Sequence, residues 1–109
     1  MSLGLEIQTD DSGEERAIRL SGELDMESSP RLIEIIRKSL NGAKALSIDL
    51  GAVSYMDSSG IAVLVQGCKL SHRQDVDFSL IDPSPQARAV IELSQLHKFF
   101  RIVQSGESE

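Results

Sequence analysis

Leu5 and Ile7 alternate with polar neighbours, and Ile18 and Leu20 alternate with Ala17, Arg19 and Ser21 beyond the turn-forming stretch Asp10-Asp11-Ser12-Gly13. A period of two on both sides of such a turn predicts an antiparallel hairpin. Gly22, Glu23 and Asp25 then punctuate the chain, and Leu24 is expected to face inward from a short third strand. The period next changes. After Ser28-Ser29-Pro30, where a serine can cap and proline suits the first helical turn, Leu32, Ile33, Ile36 and Leu40 recur at helical spacing up to an Asn41-Gly42 stop. Leu46, Ile48 and Leu50 return to alternation in a strand over residues 45–50, followed by a turn.

A second helix is expected from about Ser59, with Ile61, Leu64, Val65 and Cys68 as its apolar stripe and Lys69, His72 and Arg73 in its last turns, where cations suit the dipole. Val76, Phe78 and Leu80 read as a strand. Ser84 caps a third helix whose inner face is Ala87, Val90 and Ile91. Leu96, Phe99, Phe100, Ile102 and Val103 form a last apolar segment that ends in a short edge strand, and residues 104–109 are expected to be a disordered tail. Strands that alternate with helices imply an α/β fold with a mixed, mainly parallel β-sheet.

With 109 residues the chain has room for one domain and one core, so residues 1–109 are expected to fold as a unit. Its 40% apolar and 26% charged content is that of a soluble globular protein. Apolar runs stay well below the roughly 20 residues of a membrane span, and no membrane association is expected. The lone Cys68 cannot form an internal disulfide, which points to a reducing, cytoplasmic setting. The net charge of -6 and the scattered Lys and Arg offer no footprint for nucleic acid.

In parallel sheets, sites form where strands give way to helices, which draws attention to Met56-Asp57-Ser58-Ser59-Gly60. Two hydroxyls and a carboxylate crowd a helix N-terminus there, where the dipole and unpaired N–H groups favour a phosphate. The same residue types are the ordinary helix caps, and residue chemistry alone favours that plainer role. Asp25 likewise suits either a partner contact or a local cap. A Ser58 or Ser59 nucleophile would need a base, but no G-x-S-x-G elbow and no well-placed His accompany it, so no catalytic residue is assigned. His72 and His97 lie far apart without ligand-spaced acids or Cys, so no metal is expected, and without a Gly-rich phosphate loop no cofactor is assigned.

The run Asp49-Leu50, Val53, Tyr55-Met56-Asp57-Ser58-Ser59-Gly60-Ile61, Val63-Leu64, with Leu20-Ser21-Gly22-Glu23-Leu24-Asp25 upstream, resembles the signature of STAS domains, specifically bacterial anti-sigma-factor antagonists. Element order and length resemble that family over nearly the whole chain. Ala62 stands where many relatives have glycine, and the full C-terminal helix after Val103 is missing. The resemblance implies a STAS-like domain with helices packed mainly on one face of the sheet. It further implies a phosphorylated Ser58 and a partner surface that includes Asp25, Asp57, Ser59 and Gly60. The implied partner is an anti-sigma factor with serine kinase activity, bound only when Ser58 is unphosphorylated so that a sigma factor is released, with a matching phosphatase to reset the switch. An adaptor subunit of a transporter or stress-sensing assembly is the alternative within the same family.

Overall fold

Residues 4–105 are described by a computed structural model of the chain. The elements run β1 (Leu5–Asp10), β2 (Glu15–Leu24), α1 (Ser29–Leu40), β3 (Ala45–Met56), α2 (Ser58–Arg73), β4 (Asp77–Ile81), α3 (Pro85–Leu93) and β5 (Ile102–Val103). The five strands form one sheet in sequence order, with β1 antiparallel to β2 and the remaining neighbours parallel. This is the mixed, mainly parallel sheet with an N-terminal hairpin that the hydrophobic pattern predicts.

The alternation decides which face is covered. Ile18, Leu20, Leu46, Ile48, Phe78 and Leu80 are buried and share one core with Leu32, Ile36, Leu64 and Ile91 from the three helices. The intervening Ala17, Arg19, Ser47, Asp49, Asp77 and Ser79 are exposed or half-buried, so the opposite face stays open to water. Each fully buried Leu or Ile contributes on the order of 2 kcal/mol. That one apolar face therefore anchors all three helices.

Two strands differ from the sequence expectation. Leu24 does not belong to a third short strand; it ends the ten-residue β2. The strand predicted over residues 45–50 continues to Met56, where a turn is expected. Its buried residues are spaced by three after Leu50, at Val53 and Met56, instead of by two. The cause lies in the β2–β3 ladder, whose register shifts between Arg19 and Ser21 and again between Gly22 and Glu23. Each shift gives β3 one extra residue, and each extra residue reverses which side chains face inward.

The helices also carry corrections. Ser28 is the N-cap position of α1 but makes no side-chain cap bond. Asp25 instead caps the turn that precedes the helix, its carboxylate accepting from Glu27 N and Ser28 N. The buried stripe of α2 runs through Gly60, Ile61, Val63, Leu64, Gly67 and Ser71, while the expected Val65 and Cys68 are only half-buried. Gly67 lets α1 approach, since a Cβ there would stand 3.1 Å from Ile36 Cδ1. Small residues at such a crossing carry no hydrophobic signal in sequence. Ser84 caps α3 as expected, its Oγ accepting from Ala87 N at 3.1 Å. Of the tail expected to be disordered, Ser105 is tied to Asp82, donating from its N to Oδ1 at 2.7 Å and from its hydroxyl to Oδ2. Residues 106–109 lie outside the described residues.

Candidate functional site

Parallel pairing of β2 with β3 sets Glu23 beside Tyr55 and Leu24 beside Met56. The two sequence landmarks, 35 residues apart at Glu23 and Ser58, thereby meet at the carboxyl ends of neighbouring central strands. They lie at the carboxyl end of interior strands, away from the lateral edges of the sheet.

Asp57 is the N-cap of α2 in extended conformation, and its Oδ1 accepts from Ser59 N at 2.9 Å and from Gly60 N at 3.4 Å. The N–H groups expected to be free for a phosphate are therefore already taken by the cap. Ser58, the first residue of α2, is exposed, and its hydroxyl makes no hydrogen bond among the described residues. Ser59 is half-buried, and its carbonyl accepts from Ser29 Oγ at 3.2 Å, which ties α2 to the start of α1. The same Ser29 hydroxyl lies 2.7 Å from Asp25 O.

Asp25 acts as a local cap. Its Oδ1 accepts from the N–H of Glu27 and of Ser28, each at 3.1 Å, and from Ser28 Oγ at 3.1 Å. Ser28 Oγ in turn accepts from Asp25 N at 3.0 Å and lies 3.0 Å from Glu23 O, which shares the single hydroxyl proton with the Asp25 carboxylate. This network holds the turn between β2 and α1 rigidly beside Ser58.

Gly60 is buried beneath the site. A Cβ added there would stand 2.8 Å from Met56 Cγ and 2.9 Å from Leu24 Cγ, so only glycine lets the first turn of α2 settle onto the ends of β2 and β3. Gly22 permits a second close approach, because at φ +110° its Cβ would stand 2.3 Å from Gly4 O, which accepts from Glu23 N at 2.8 Å. Both glycines position the surface from below.

The surface itself is a shallow depression of ≈ 400 Å³ between Glu23, Asp25, Met26, Glu27, Tyr55 and Asp57. Met26 is 75% and Tyr55 48% exposed, an unusual pair of large apolar groups to leave in water. Met26 and Glu27 are absent from the site expected on sequence, although Met26 in the middle of an acidic turn is the available signal. From Ser58 the exposed stripe of α2 continues through Ala62, Gln66 and Lys69 at helical spacing. An exposed hydroxyl beside a depression of apolar groups and carboxylates suits recognition by a protein surface.

Elsewhere, burial pushes the Cys68 thiol up, away from the reactive thiolate. Among the described residues no cluster of His, Cys, Asp and Glu is placed to hold a metal ion, and no helix is long and apolar enough to cross a membrane.

The model of the STAS domain matches residues 6–108. The anti-sigma-B factor antagonist of Staphylococcus aureus is 27% identical over 110 residues, covering all of both chains. The crystal structure of an anti-sigma factor antagonist from Mycobacterium paratuberculosis superposes with a TM-score of 0.84 at 26% identity, over 94% of this chain and 90% of that one. The unphosphorylated anti-sigma factor antagonist SpoIIAA shares the fold, with a TM-score of 0.77 at 24% identity over 89% and 87% of the two chains.

Proposed function

This chain belongs to the STAS domain family, a family of non-enzymatic regulators, and from that premise we propose that it is a phosphorylation-controlled anti-sigma factor antagonist. Unphosphorylated, it binds an anti-sigma factor that is also its serine kinase and so frees a sigma factor in the cytoplasm. Phosphorylation of Ser58 ends the complex, and a phosphatase resets it.

One observation carries this reading: the Ser58 hydroxyl is exposed, without a hydrogen bond among the described residues, and directly follows Asp57, which lines a depression that exposes Met26 and Tyr55. A kinase can reach it without disturbing a fold that does not use it. A phosphate there adds about -1.5 to -2 charges beside Asp57. Since Asp57 already occupies the nearest N–H groups, the phosphate projects outward into the space a partner would fill. Asp25, Asp57, Ser59 and Gly60 complete the proposed partner surface, the first two and Gly60 mainly by holding its shape. Mutual coverage of whole chains with the S. aureus antagonist supports this reading over a transporter adaptor.

Incubation with the cognate anti-sigma factor and ATP, followed by phosphopeptide mapping, tests the proposal. Phosphate is expected on Ser58 alone. Phosphate on Ser59 without Ser58, or no complex between the unmodified chain and the anti-sigma factor, overturns it.

A further inference from the structure

Helix α2 spans 16 residues, about 24 Å at 1.5 Å per residue, and it joins two surfaces of opposite character. At its N-terminal end lies the depression with Met26 and Tyr55 among four carboxylates. At its C-terminal end lies a second depression, ≈ 430 Å³, formed by Cys68, Lys69, His72, Arg73 and Phe99. Phe99 is 45% exposed and stacks edge-to-face on the buried Phe100, with centroids 5.1 Å apart and rings at 84°. That contact holds the exposed ring in place, so presenting it to another surface costs little side-chain entropy.

The charges are segregated in sequence as well as in space. Residues 23–27 and 55–58 contain no Lys or Arg, and residues 69–73 and 97–101 contain no Asp or Glu. The acidic end sits at the carboxyl ends of β2 and β3, whereas the basic end precedes β4 and β5 and so lies at the amino end of the sheet. The two surfaces therefore face away from each other within one molecule and are free to meet between molecules.

We propose that this chain associates head to tail with further copies of itself, the ring of Phe99 and the cations of Lys69 and Arg73 on one copy docking onto Met26, Tyr55 and Glu27 of the next. Apolar groups meet apolar groups at the centre, and cations meet carboxylates around them. The contact is heterologous, so it grows into short open chains instead of closing as a symmetric pair. It is small, hence weak and sensitive to salt. Asp57, the neighbour of Ser58, lines the docked depression, so assembly brings another copy beside Ser58 in every copy but the terminal one. The association itself does not depend on the reading of Ser58 as a switch and is measured with no anti-sigma factor present.

Sedimentation velocity of the purified full chain provides the test. At low salt the weight-average sedimentation coefficient is expected to rise with concentration, and at about 0.5 M NaCl, where the screening length is only a few ångströms, that rise is expected to vanish. A Met26→Gln/Glu27→Gln variant and a Lys69→Gln/Arg73→Gln variant, each alone, should stay monomeric because each lacks one end. Mixed together they should form a 1:1 complex and nothing larger, since one intact end of each remains. A wild type that stays monomeric at every concentration, a wild type that stops at a dimer, variants that associate like the wild type, or a mixture that stays monomeric each overturns the proposal.

Discussion

Ser58 and Gly60 stand two residues apart and respond to substitution in opposite ways. At Ser58 a carboxylate meets the positive end of α2, an interaction of about 0.3 to 1 kcal/mol that offsets repulsion from Asp57. Ser58→Asp is therefore expected to melt within a few degrees of the wild type. In a complex the same charge loses water against a surface shaped for a hydroxyl, at a cost of several kcal/mol. A penalty of about 3 kcal/mol weakens binding roughly a hundredfold. Calorimetric titration with the anti-sigma factor should show that loss for Ser58→Asp and near-wild-type affinity for Ser58→Ala. Equal binding by both variants would remove the case for a switch at this position. Gly60→Ala inverts the pattern. Its Cβ meets Met56 Cγ and Leu24 Cγ below 3.0 Å, overpacking that costs about 1 to 3 kcal/mol, so thermal melts should show clear destabilisation before any effect on a partner is considered.

At the scale of elements, the long β3 is held by different neighbours along its length. Ala45 to Asp49 pair with β4, but the ladder to β2 runs on to Met56. The last seven residues of β3, Leu50 to Met56, have β2 as their only strand neighbour, and this overhang carries Tyr55 and Asp57 toward the surface. The far side of the sheet ends differently, with the two-residue β5 pinned by the Asp82–Ser105 contact. Hydrogen bonds from the Ser105 hydroxyl and N–H hold the Asp82 carboxyl below its ordinary range. A depressed folded value means that the tie is intact above the unfolded carboxylate value and is lost as pH falls through the folded one. The amide resonance of Ser105 is accordingly expected to titrate in the acid range, below the ordinary carboxylate midpoint, and Asp82→Asn should abolish that titration. A Ser105 amide that titrates unchanged in Asp82→Asn would rule out this tie.

Over the whole molecule, one continuous core takes side chains from four of the strands and all three helices, together with Phe100. No element has a private core to fall back on. Thermal unfolding is therefore expected to be a single transition in which far-UV circular dichroism and Tyr55 fluorescence coincide, with an enthalpy of about 70 kcal/mol for a chain of this size. Separate midpoints for the two probes would show that the β2–β3 overhang opens on its own.

Local pattern by itself determined the hairpin, the alternation of helices and strands after it, the cap at Ser84, and the inward face of β1, β2, β4 and the first half of β3, because each rests on neighbours within one turn or one strand. The segment from Met56 to Gly60 was likewise legible as the approach to a helix N-terminus, and the family resemblance singled out Ser58 within it. The length of β3 was decided only by tertiary structure: its two register shifts answer to β2, some thirty residues away, and they break the alternation by which a strand is read. The same holds for the small-residue stripe of α2, where Gly60 and Gly67 are chosen by the side chains of Leu24, Met56 and Ile36 pressing from other elements. Met26 joined the site for the same reason. Its exposure beside Tyr55 follows from strand pairing, which sets residues distant in sequence side by side and which no local pattern records.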